Sequence, residues 1–498
     1  MHRQNIQDMY GAVENNRGFD VVVVVSSSRD QTDFWQQRLK ETRGLVLGDR
    51  TRIISVEEDW PGGAGQLLGT LYAWNKAREV LDLDGVLQAG GKVAMYHTAG
   101  KGTRMAPIPA AEANNKSAIK LPRLIRIAGR KTFLTVLEAV IFQTGIFAAS
   151  RPGRLCVFWG DQVFIPSKAP DVSGGHHAEI LDIRSEIPSD ESTWKRDWQC
   201  YGLVIPAEGG EVLQREKQDW EELQALINEG TVRAEASGKI VLGKSLGCFT
   251  ITQAMLAGLL EEFASELGEK QCKLDTDPQL WMPMTSTRSD FEVRGGDPAH
   301  WHRINRFKER FLSENPGSKL FGDKDIGAGT LWWDYGQARL YHQNLIKSLE
   351  NSFEGECLRQ FYNLEDYWIE NSDSDGAVIE KSLVIDSHVK GKIRNCVLMG
   401  ARGDGLNISD SVAINSHLSQ VEAKQSLIYN CTDLTNTELT SGTVVADILL
   451  PDRAPVRMMT GFDRDGKEDW ETVLPGNSYS FKTLAELISQ QLGRSGQS

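Results

Sequence analysis

A glycine-rich segment with two cations stands directly after a predicted strand, at residues 98–105 (Thr-Ala-Gly-Lys-Gly-Thr-Arg-Met). Glycines at such a turn let the backbone approach a phosphate chain closely and point its N–H groups toward it. Lys101 and Arg104 can then neutralise the β- and γ-phosphates of a nucleoside triphosphate. The strand-end position, the adjacent arginine and a later lysine make this pattern more specific than an isolated Gly-x-Gly. The predicted nucleotide-binding residues are Ala99, Gly100, Lys101, Gly102 and Thr103.

The elements that must position this turn alternate between strands and helices. Aliphatic runs at 21–25, 53–56, 93–96 and 155–159 are typical of strands buried on both faces. The turn at 61–65 (Pro-Gly-Gly-Ala-Gly) opens a helix with Leu67, Leu71 and Trp74 on its apolar side. This alternation predicts an α/β domain with a doubly wound, mostly parallel sheet that binds its ligands at the carboxyl ends of the strands.

Later stretches carry weaker patterns. Apolar spacing predicts a helix over 131–146, and the polar, mixed composition of 166–198 indicates a surface excursion. Helices are also predicted over 220–227, 251–267 and 484–492. Residues 463–466 (Asp-Arg-Asp-Gly) resemble half of a calcium loop, but no glutamate stands at the required spacing, so a solvated turn is expected there.

From about Gly376 the sequence pattern changes, and aliphatic residues recur at a spacing of six residues. All but the last of four such segments place Ser or Cys three positions after the first aliphatic residue: 379–385, 393–399, 408–414 and 421–427. A stacked parallel β-helix has this spacing, because each short side drops one residue into the axis. The prediction is a short left-handed parallel β-helix, with an antiparallel sandwich of short strands as the alternative.

Composition excludes some classes of function. The net charge of −13 argues against a nucleic-acid partner, which needs a basic face. A few placed cations and a divalent metal still suffice for a phosphorylated small molecule. The seven scattered cysteines form no C-x-x-C pair, no apolar run reaches the ~20 residues of a membrane span, and the start has no targeting pattern. A cytoplasmic location without membrane contact is expected.

Residues 98–105 resemble the signature of sugar nucleotidyltransferases (nucleotide-sugar pyrophosphorylases), Leu-Ala-Ala/Gly-Gly-x-Gly-Thr-Arg-Leu/Met. This chain departs from that signature with His97 and Thr98 where Leu and Ala are usual, at the backbone that faces the base. The valine-rich first strand and the turn at 61–65 look similar to the front of fucose-1-phosphate guanylyltransferases. The family resemblance covers about 91–445 in a consistent order. A β-helix after the catalytic domain also occurs in this family.

Five further segments resemble family motifs, and they follow one another along the chain in the family's order. Lys116, in Asn-Lys-Ser-Ala-Ile-Lys-Leu-Pro, would bind phosphate, and Asp161, in Trp-Gly-Asp, would bind magnesium. Asp334, in Trp-Asp-Tyr-Gly, would supply the second metal carboxylate. The sugar-phosphate-binding residues implied by the resemblance are Gly202, Glu216 and Lys217.

The resemblance implies transfer of a nucleotidyl group to a sugar 1-phosphate, with release of pyrophosphate. The nucleophile is already anionic, so the reaction needs charge neutralisation and alignment rather than a general base. The implied catalytic residues are Arg104, Lys116 and Asp161, with Mg²⁺ on Asp161 and Asp334. The implied domains are βα units (1–90), a catalytic domain (91–370), the β-helix (371–450) and a tail with a final helix (451–498).

Several residues retain a plainer interpretation. Asp161 and Asp334 could be turn or capping residues, and Glu216 and Lys217 could belong to a solvated helix start over 214–222. Lys120 could serve in place of Lys116. The segment around 275–285 (beginning Asp-Thr-Asp-Pro) has no assigned role.

Two other functions compete with the nucleotidyltransferase hypothesis. His388 and His417, in matching turns, raise the possibility of a β-helix acyltransferase, although four or five coils are short for one. A non-catalytic sensor or scaffold subunit is the other, which the presence of both metal carboxylates disfavours. The base and the sugar stay open: UTP with glucose 1-phosphate is the weak preference, the fucose resemblance favours guanosine, and the β-helix favours adenosine. Self-association through the β-helix edges is also expected.

Overall fold

The computed structural model describes residues 1–171, 175–364, 369–370, 372, 376–450 and 454–495. Its helices are α1 His2–Glu14, α2 Arg29–Glu41, α3 Gly65–Val80, α4 Leu83–Gln88, α5 Val136–Thr144, α6 Glu191–Asp197, α7 Trp220–Asn228, α8 Gln253–Glu262, α9 Ala264–Glu269, α10 Met282–Thr285, α11 Arg288–Val293, α12 Pro298–Glu314, α13 Ala338–Lys347, α14 Phe353–Tyr362 and α15 Phe481–Ser495.

The strands carry most of the topology. They are β1 Val21–Ser26, β2 Arg52–Glu57, β3 Val93–His97, β4 Lys120–Ile127, β5 Arg130–Thr135, β6 Arg154–Trp159, β7 Gln162–Ile165, β8 His176–Glu186, β9 Leu203–Pro206, β10 Val212–Arg215, β11 Val241–Thr252, β12 Lys319–Asp325, β13 Leu331–Asp334, β14 Ile369–Glu370, β15 Ala377–Glu380, β16 Leu383–Ile385, β17 His388–Arg394, β18 Val397–Met399, β19 Arg402–Ser409, β20 Val412–Ile414, β21 Glu422–Lys424, β22 Leu427–Tyr429, β23 Thr443–Ile448 and β24 Val456–Gly461.

The chain forms two compact units, each built from separate stretches. The first unit contains Met1–Ala99, Thr144–Trp159 and Ile165–Thr330. The second unit contains Gly100–Gln143, Gly160–Phe164 and Leu331–Ser498. The four-part division expected from the sequence stays a prediction, and its boundaries at 371 and 451 fall outside the described residues.

The first unit is organised around a mixed sheet with a parallel half. Strands β2, β1, β3 and β6 run parallel side by side, and β8 pairs parallel with β12. Strand β11 joins the two parts because it pairs antiparallel with β6, β8 and β9. The β-branched run of β1 is buried at every position, as expected for a strand covered on both faces. The α/β class with mostly parallel pairing is therefore confirmed.

In the second unit, short strands build two interleaved parallel sheets. One sheet has the order β14-β16-β18-β20-β22-β23-β24, and the other has the order β15-β17-β19-β21. Leu383 pairs with Val397, which pairs with Val412, so the chain returns to one sheet after 14 or 15 residues. Antiparallel pairing among these strands occurs only between β23 and β24, within the part of the chain that the structure describes. The antiparallel sandwich considered for this region is therefore wrong.

Buried serines connect successive turns of these sheets. The hydroxyl of Ser382 accepts a hydrogen bond from the Cys396 N–H at 3.0 Å, and the hydroxyl of Ser411 accepts one from the Ser426 N–H at 3.0 Å. These serines are the ones that recur three positions after an aliphatic residue in the sequence. Their spacing reflects the need to satisfy backbone N–H groups inside the stack.

Two further expectations from the sequence, a helix from residue 131 and a surface excursion over 166–198, are wrong. Residues Arg130–Thr135 form a strand paired antiparallel with β4, so the helix predicted over 131–146 begins only at Val136. The stretch 166–198 contains β8, a mostly buried strand of the large sheet, rather than a surface excursion. Its polar appearance comes from Glu179 and Asp182, two acids that are buried inside that strand.

The remaining global features concern membranes and thiols. Within the described residues, the helices include none with the length and apolarity required to cross a membrane. All seven cysteines are free thiols, and Cys200 and Cys272 are exposed.

Candidate functional site

Four predicted residues from distant parts of the chain meet around Gly336 in the second unit. A Cβ atom placed on Gly336 would lie 2.9 Å from Asp334 Oδ1, 3.7 Å from Arg104 Nη2 and 3.8 Å from Asp161 Oδ2. Lys116 joins the group because its Nζ lies 2.8 Å from Asp161 Oδ2. This corner therefore contains two carboxylates and two cations.

Two short strands hold the carboxylates in place. Asp161 directly precedes β7 and Asp334 ends β13, and these strands pair with each other. The Tyr335 N–H donates to the Asp161 carbonyl at 3.0 Å, which fixes the two carboxylates side by side. Trp333 and Tyr335, which flank Asp334, are buried in the core of the second unit. Because side chains alternate along a strand, these anchors turn Asp334 to the opposite face.

The Lys116–Asp161 ion pair is largely shielded from solvent, with 14% and 19% of the two side chains exposed. Lys120, the alternative to Lys116, instead pairs with Glu112 at 2.9 Å and donates to the Ala118 carbonyl. Of these two lysines, the structure brings Lys116 to the carboxylate corner. An amine so placed can neutralise a phosphate that arrives beside Asp161.

The pKa of the Asp334 carboxyl is shifted in opposite directions by its surroundings. Burial raises its pKa and the charge of Asp161 adds to this effect, whereas Arg104 and Lys116 act to lower it. Its Oδ1 accepts the Gly336 N–H at 2.6 Å, and its own carbonyl accepts a hydrogen bond from Asn344. The carboxylate is thus oriented by backbone contacts, with its second oxygen left for another partner.

The glycine-rich turn requires its glycines. Gly100 and Gly102 have φ angles of 124° and 61°, in the region that favours glycine. A Cβ on Gly102 would also lie 2.9 Å from the Lys116 Cβ, so the turn packs closely on the residue that carries the buried ammonium. Lys101 and Arg104 are exposed, and Arg104 makes no hydrogen bond or ion pair within the described residues. Ala99 ends the first unit, and the second begins at Gly100.

The predicted sugar-phosphate residues lie in the first unit. A Cβ on Gly202 would lie 2.5 Å from both Glu216 Oε1 and Gln214 Nε2, which are joined by a 2.9 Å hydrogen bond. Burial raises the pKa of Glu216, although Gln214 and Lys217 act to lower it. Glycine at 202 is therefore the residue that leaves room for the Glu216 carboxylate.

Glu216 and Lys217 are not part of a helix start. They lie in the loop after β10, and α7 begins at Trp220 behind a capping box made by Asp219 and Glu222. The Lys217 backbone is left-handed, with φ of 45°, and its side chain is exposed. The charged run that suggested a solvated helix start therefore has two parts. Asp219 and Glu222 cap α7, whereas Glu216 and Lys217 lie in the loop before it.

Two acids near Glu216 escaped the sequence analysis. Asp275 Oδ1 accepts the Gln66 N–H at 2.8 Å, which caps α3. Burial, followed by the charges of Glu216 and Asp275, raises the pKa of Asp277, whose Oδ1 has no hydrogen-bond partner within the described chain. The Asp-Thr-Asp-Pro pattern was visible in the sequence, but nothing local to it indicated contact with residues 60 positions earlier.

The residues that depart from the family signature have internal partners in the first unit. His97 Nε2 lies 2.9 Å from the Thr70 hydroxyl, and the Thr98 hydroxyl donates to the Val25 carbonyl at 2.8 Å. Both side chains are buried. The polar side chains at these positions therefore serve the packing of β3 against its neighbours. His388 and His417, which suggested acyl transfer, are exposed in the second unit.

The carboxylate corner has few protein ligands for a metal ion. Within the described residues, no group of three or more His, Cys, Asp or Glu side chains has the arrangement of a metal site. Asp161 and Asp334 provide two carboxylates. One oxygen of each carboxylate makes no hydrogen bond to another described residue. Mg²⁺ in phosphate-handling sites is commonly bound by one or two carboxylates together with water and substrate phosphates. The residues present fit that mode of binding.

Comparison with known proteins gives two negative findings. No protein-family model matches the chain, and no curated protein sequence matches it.

Proposed function

We propose that this chain transfers a nucleotidyl group from a nucleoside triphosphate to a sugar 1-phosphate, giving a nucleotide sugar and pyrophosphate. The observation that carries the proposal is the meeting of Arg104, Lys116, Asp161 and Asp334 around Gly336. The sequence predicts that these four residues share one reaction, although the motifs that contain them extend from Arg104 to Asp334 along the chain. Their proximity supports a common role in handling phosphates.

The chemistry that these residues support is an in-line displacement. A sugar-phosphate oxygen forms a bond to the α-phosphorus, the bond from the α-phosphorus to the bridging oxygen breaks, and pyrophosphate leaves with that electron pair. Bound Mg²⁺ would supply charge neutralisation between the phosphates of the two substrates. Asp161 and Asp334 would hold it, each with an oxygen that makes no hydrogen bond in the described protein.

The cations have separate tasks in this proposal. Arg104 is exposed and makes no hydrogen bond or ion pair with another described residue, so its guanidinium is available to the pyrophosphate leaving group. Lys116 already holds Asp161 and would share its ammonium with the α-phosphate. The N–H groups of the turn at Gly100 and Gly102 would bind the triphosphate. Interactions that strengthen as charge moves to the leaving group are the ones that raise kcat.

For the sugar phosphate, the proposal uses Gly202, Glu216 and Lys217. The Glu216 carboxylate would accept hydrogen bonds from sugar hydroxyls, and the Lys217 ammonium would bind the phosphate. The space above Gly202, bounded by Gln214 and Glu216, supports this assignment because any larger residue would displace the carboxylate.

We also propose that the interleaved parallel strands of the second unit form a left-handed β-helix, as the nucleotidyltransferase hypothesis expects. The register of β16, β18, β20 and β22, with partners 14 or 15 residues apart, supports a coil of that length. We expect self-association through the edge strands of these two sheets. A cytoplasmic location belongs to the same proposal.

The test is pyrophosphate release with Mg²⁺ over a matrix of four nucleoside triphosphates and several sugar 1-phosphates, with UTP and glucose 1-phosphate tried first. The Asp161→Asn variant should lose at least about a thousandfold in kcat, since metal and phosphate charge are no longer balanced there. Asp433→Asn is the matched control, because Asp433 is an exposed turn residue of the same unit. A fully active Asp161→Asn variant would contradict the metal assignment. Nucleotide binding without pyrophosphate release from any pair would favour a sensor.

A further inference from the structure

The C-terminal part of the second unit packs directly on the residues that follow the glycine-rich turn. This part, called the C-terminal brace, consists of residues 465–489 and includes the first nine residues of α15. A Cβ on Gly466 would lie 2.2 Å from the Thr103 carbonyl oxygen and 3.2 Å from the Ala106 Cβ. The backbone of the brace therefore touches the backbone of the segment that carries the proposed phosphate-binding groups.

Apolar packing extends this contact. Phe481 and Leu484 on α15 are buried and, with Trp470, lie against Pro107, Pro109 and Ala110. The gap that remains between them has a volume of about 20 Å³. The brace is thus closely packed against the segment 100–114 instead of lying loosely over it.

Hydrogen bonds join the brace to Asn114, at the end of the segment 100–114, and others stabilise the brace itself. Asn114 Nδ2 donates to the Ala485 carbonyl at 2.8 Å and lies 3.2 Å from the Ser489 hydroxyl. Within the brace, the Lys482 N–H donates to the Trp470 carbonyl at 2.9 Å. The turn that presents Gly466 is closed by Asp465, whose Oδ1 accepts the Lys467 N–H at 2.8 Å.

Charge adds a further link at the turn itself. The Glu471 carboxylate pairs with Lys482 at 2.7 Å, and the proximity of Lys482 and then of Lys101 lowers the pKa of Glu471. Lys101 is one of the two cations assigned to the triphosphate. The brace therefore meets the Thr103 backbone of the turn directly, and it is held on the segment after the turn by apolar packing and by the Asn114 hydrogen bonds.

We propose that the C-terminal brace is a positioning element for the glycine-rich turn, acting through Gly466, and that it sets the affinity for the nucleoside triphosphate. This inference rests on the proposed function for the identity of the ligand. Its structural part does not, because the contacts exist without any ligand. A turn whose N–H groups are held in place before binding loses less conformational freedom when the phosphates arrive.

The experiment compares the full-length wild type with Gly466→Ala by hydrogen exchange of peptides covering 100–106 and by steady-state kinetics. Gly466 does not have a left-handed φ, so the added methyl acts through its clash with Thr103. Exchange in 100–106 is expected to rise about tenfold. The KM for the nucleoside triphosphate should rise about tenfold while kcat at saturation changes by less than about twofold.

Gly129→Ala is the matched control. Gly129 lies outside the brace in the same unit. An added Cβ there would contact no atom of the described residues within 4 Å, but its φ of 80° makes the substitution strained. A similar rise in 100–106 exchange in both variants would overturn the proposal, because general destabilisation would explain it. Unchanged exchange in Gly466→Ala would also overturn it.

A second variant keeps the test decisive if Gly466→Ala does not fold. Leu484→Ala shortens a fully buried side chain of α15 and leaves every residue of 100–114 intact. It should raise exchange in 100–106 in the same direction, and no change would count against the brace. If the wild type proves inactive with every substrate pair, the proposed function fails, whereas the exchange measurements still decide the role of the brace.

Discussion

Gly336 offers the sharpest test of the carboxylate corner, because a single methyl group there would enter the space that the proposed metal ligands share. In the Gly336→Ala variant, the new Cβ would lie 2.9 Å from Asp334 Oδ1, closer than side-chain carbons approach oxygens in folded proteins. The carboxylate must therefore move by about half an ångström to reach ordinary contact distance. Its hydrogen bond to the Gly336 N–H, at 2.6 Å, would be distorted by the same movement.

The expected loss follows from that displacement. Misplacing a catalytic group by 1 Å can cost on the order of a hundredfold in rate, so half of that movement predicts a loss of about tenfold to a hundredfold in kcat. The other neighbours of the methyl group, Arg104 Nη2 at 3.7 Å and Asp161 Oδ2 at 3.8 Å, stay at ordinary contact distances. Gly336 does not have a left-handed φ, so the stability should change by less than about 1 kcal/mol.

The assay is pyrophosphate release at saturating substrates, with urea unfolding measured in parallel. Gly18→Ala serves as the control, because its added Cβ would meet no atom of the described residues within 4 Å and its φ is also unstrained. Wild-type kcat in Gly336→Ala, with Asp161→Asn inactive, would refute the inference that Asp334 acts at this corner. A loss of kcat accompanied by a large loss of stability would refute the claim that the effect is local.

The remaining predictions concern each unit separately. Arg104→Ala should lower kcat about a hundredfold with little change in the KM for sugar phosphate, since Arg104 makes no hydrogen bond or ion pair within the described protein; equal losses in both would mean a structural role. Gly202→Ala should raise the KM for sugar phosphate about tenfold, because its Cβ would displace the Glu216 carboxylate, and an unchanged KM would exclude that site. Burial, the charge of Asp323 and that of Asp325 raise the pKa of Asp182 well above its usual value, despite Arg184. The folded protein therefore holds a proton there that the unfolded chain releases, so this residue's contribution to stability is complete below pH 4 and falls as the pH rises through the folded-state pKa. Asp182→Asn should remove that fall and be more stable than wild type by about 1–3 kcal/mol at pH 8 but not at pH 4 in urea unfolding; equal stabilities at pH 8 would contradict the assignment.

Local patterns predicted much of the first unit and the segments of the carboxylate corner. The valine run at 21–25 and the strand before Gly100 could be recognised because burial on both faces leaves a continuous apolar signature. The serine positions in the parallel strands were visible for a similar reason, since successive strands of one sheet repeat the same backbone requirement. Asp161 and Asp334 were identified through motif order, and the structure shows how a two-strand pairing brings them together.

The features that could not be predicted from the sequence depend on contacts between residues that are distant in the chain. Gly466 looked like part of a solvated turn, because nothing near it in the chain indicates that its backbone packs on Thr103. Strand β8 was missed because the acidic side chains of Glu179 and Asp182 resemble a surface pattern in the sequence, although both are buried. The helix predicted from 131 failed because pairing with β4 outweighed an apolar spacing that fits either structure. In each case tertiary contacts decided the outcome.

The same long-range contacts explain why the parallel strands should not be regarded as an appendage to the site. The Tyr429 hydroxyl, at the end of β22, donates to Glu112 Oε1 at 2.6 Å and accepts the Lys120 N–H at 3.2 Å. Lys116 lies between these two residues in the chain, so the segment that brings its ammonium to Asp161 is held at both ends by one buried side chain of the repeated strands. Phosphate-binding groups on an irregular segment need such support, because the segment has no ladder of its own to fix their geometry. The repeated strands therefore contribute to the proposed catalytic geometry through Tyr429, whatever further role their exposed edges have.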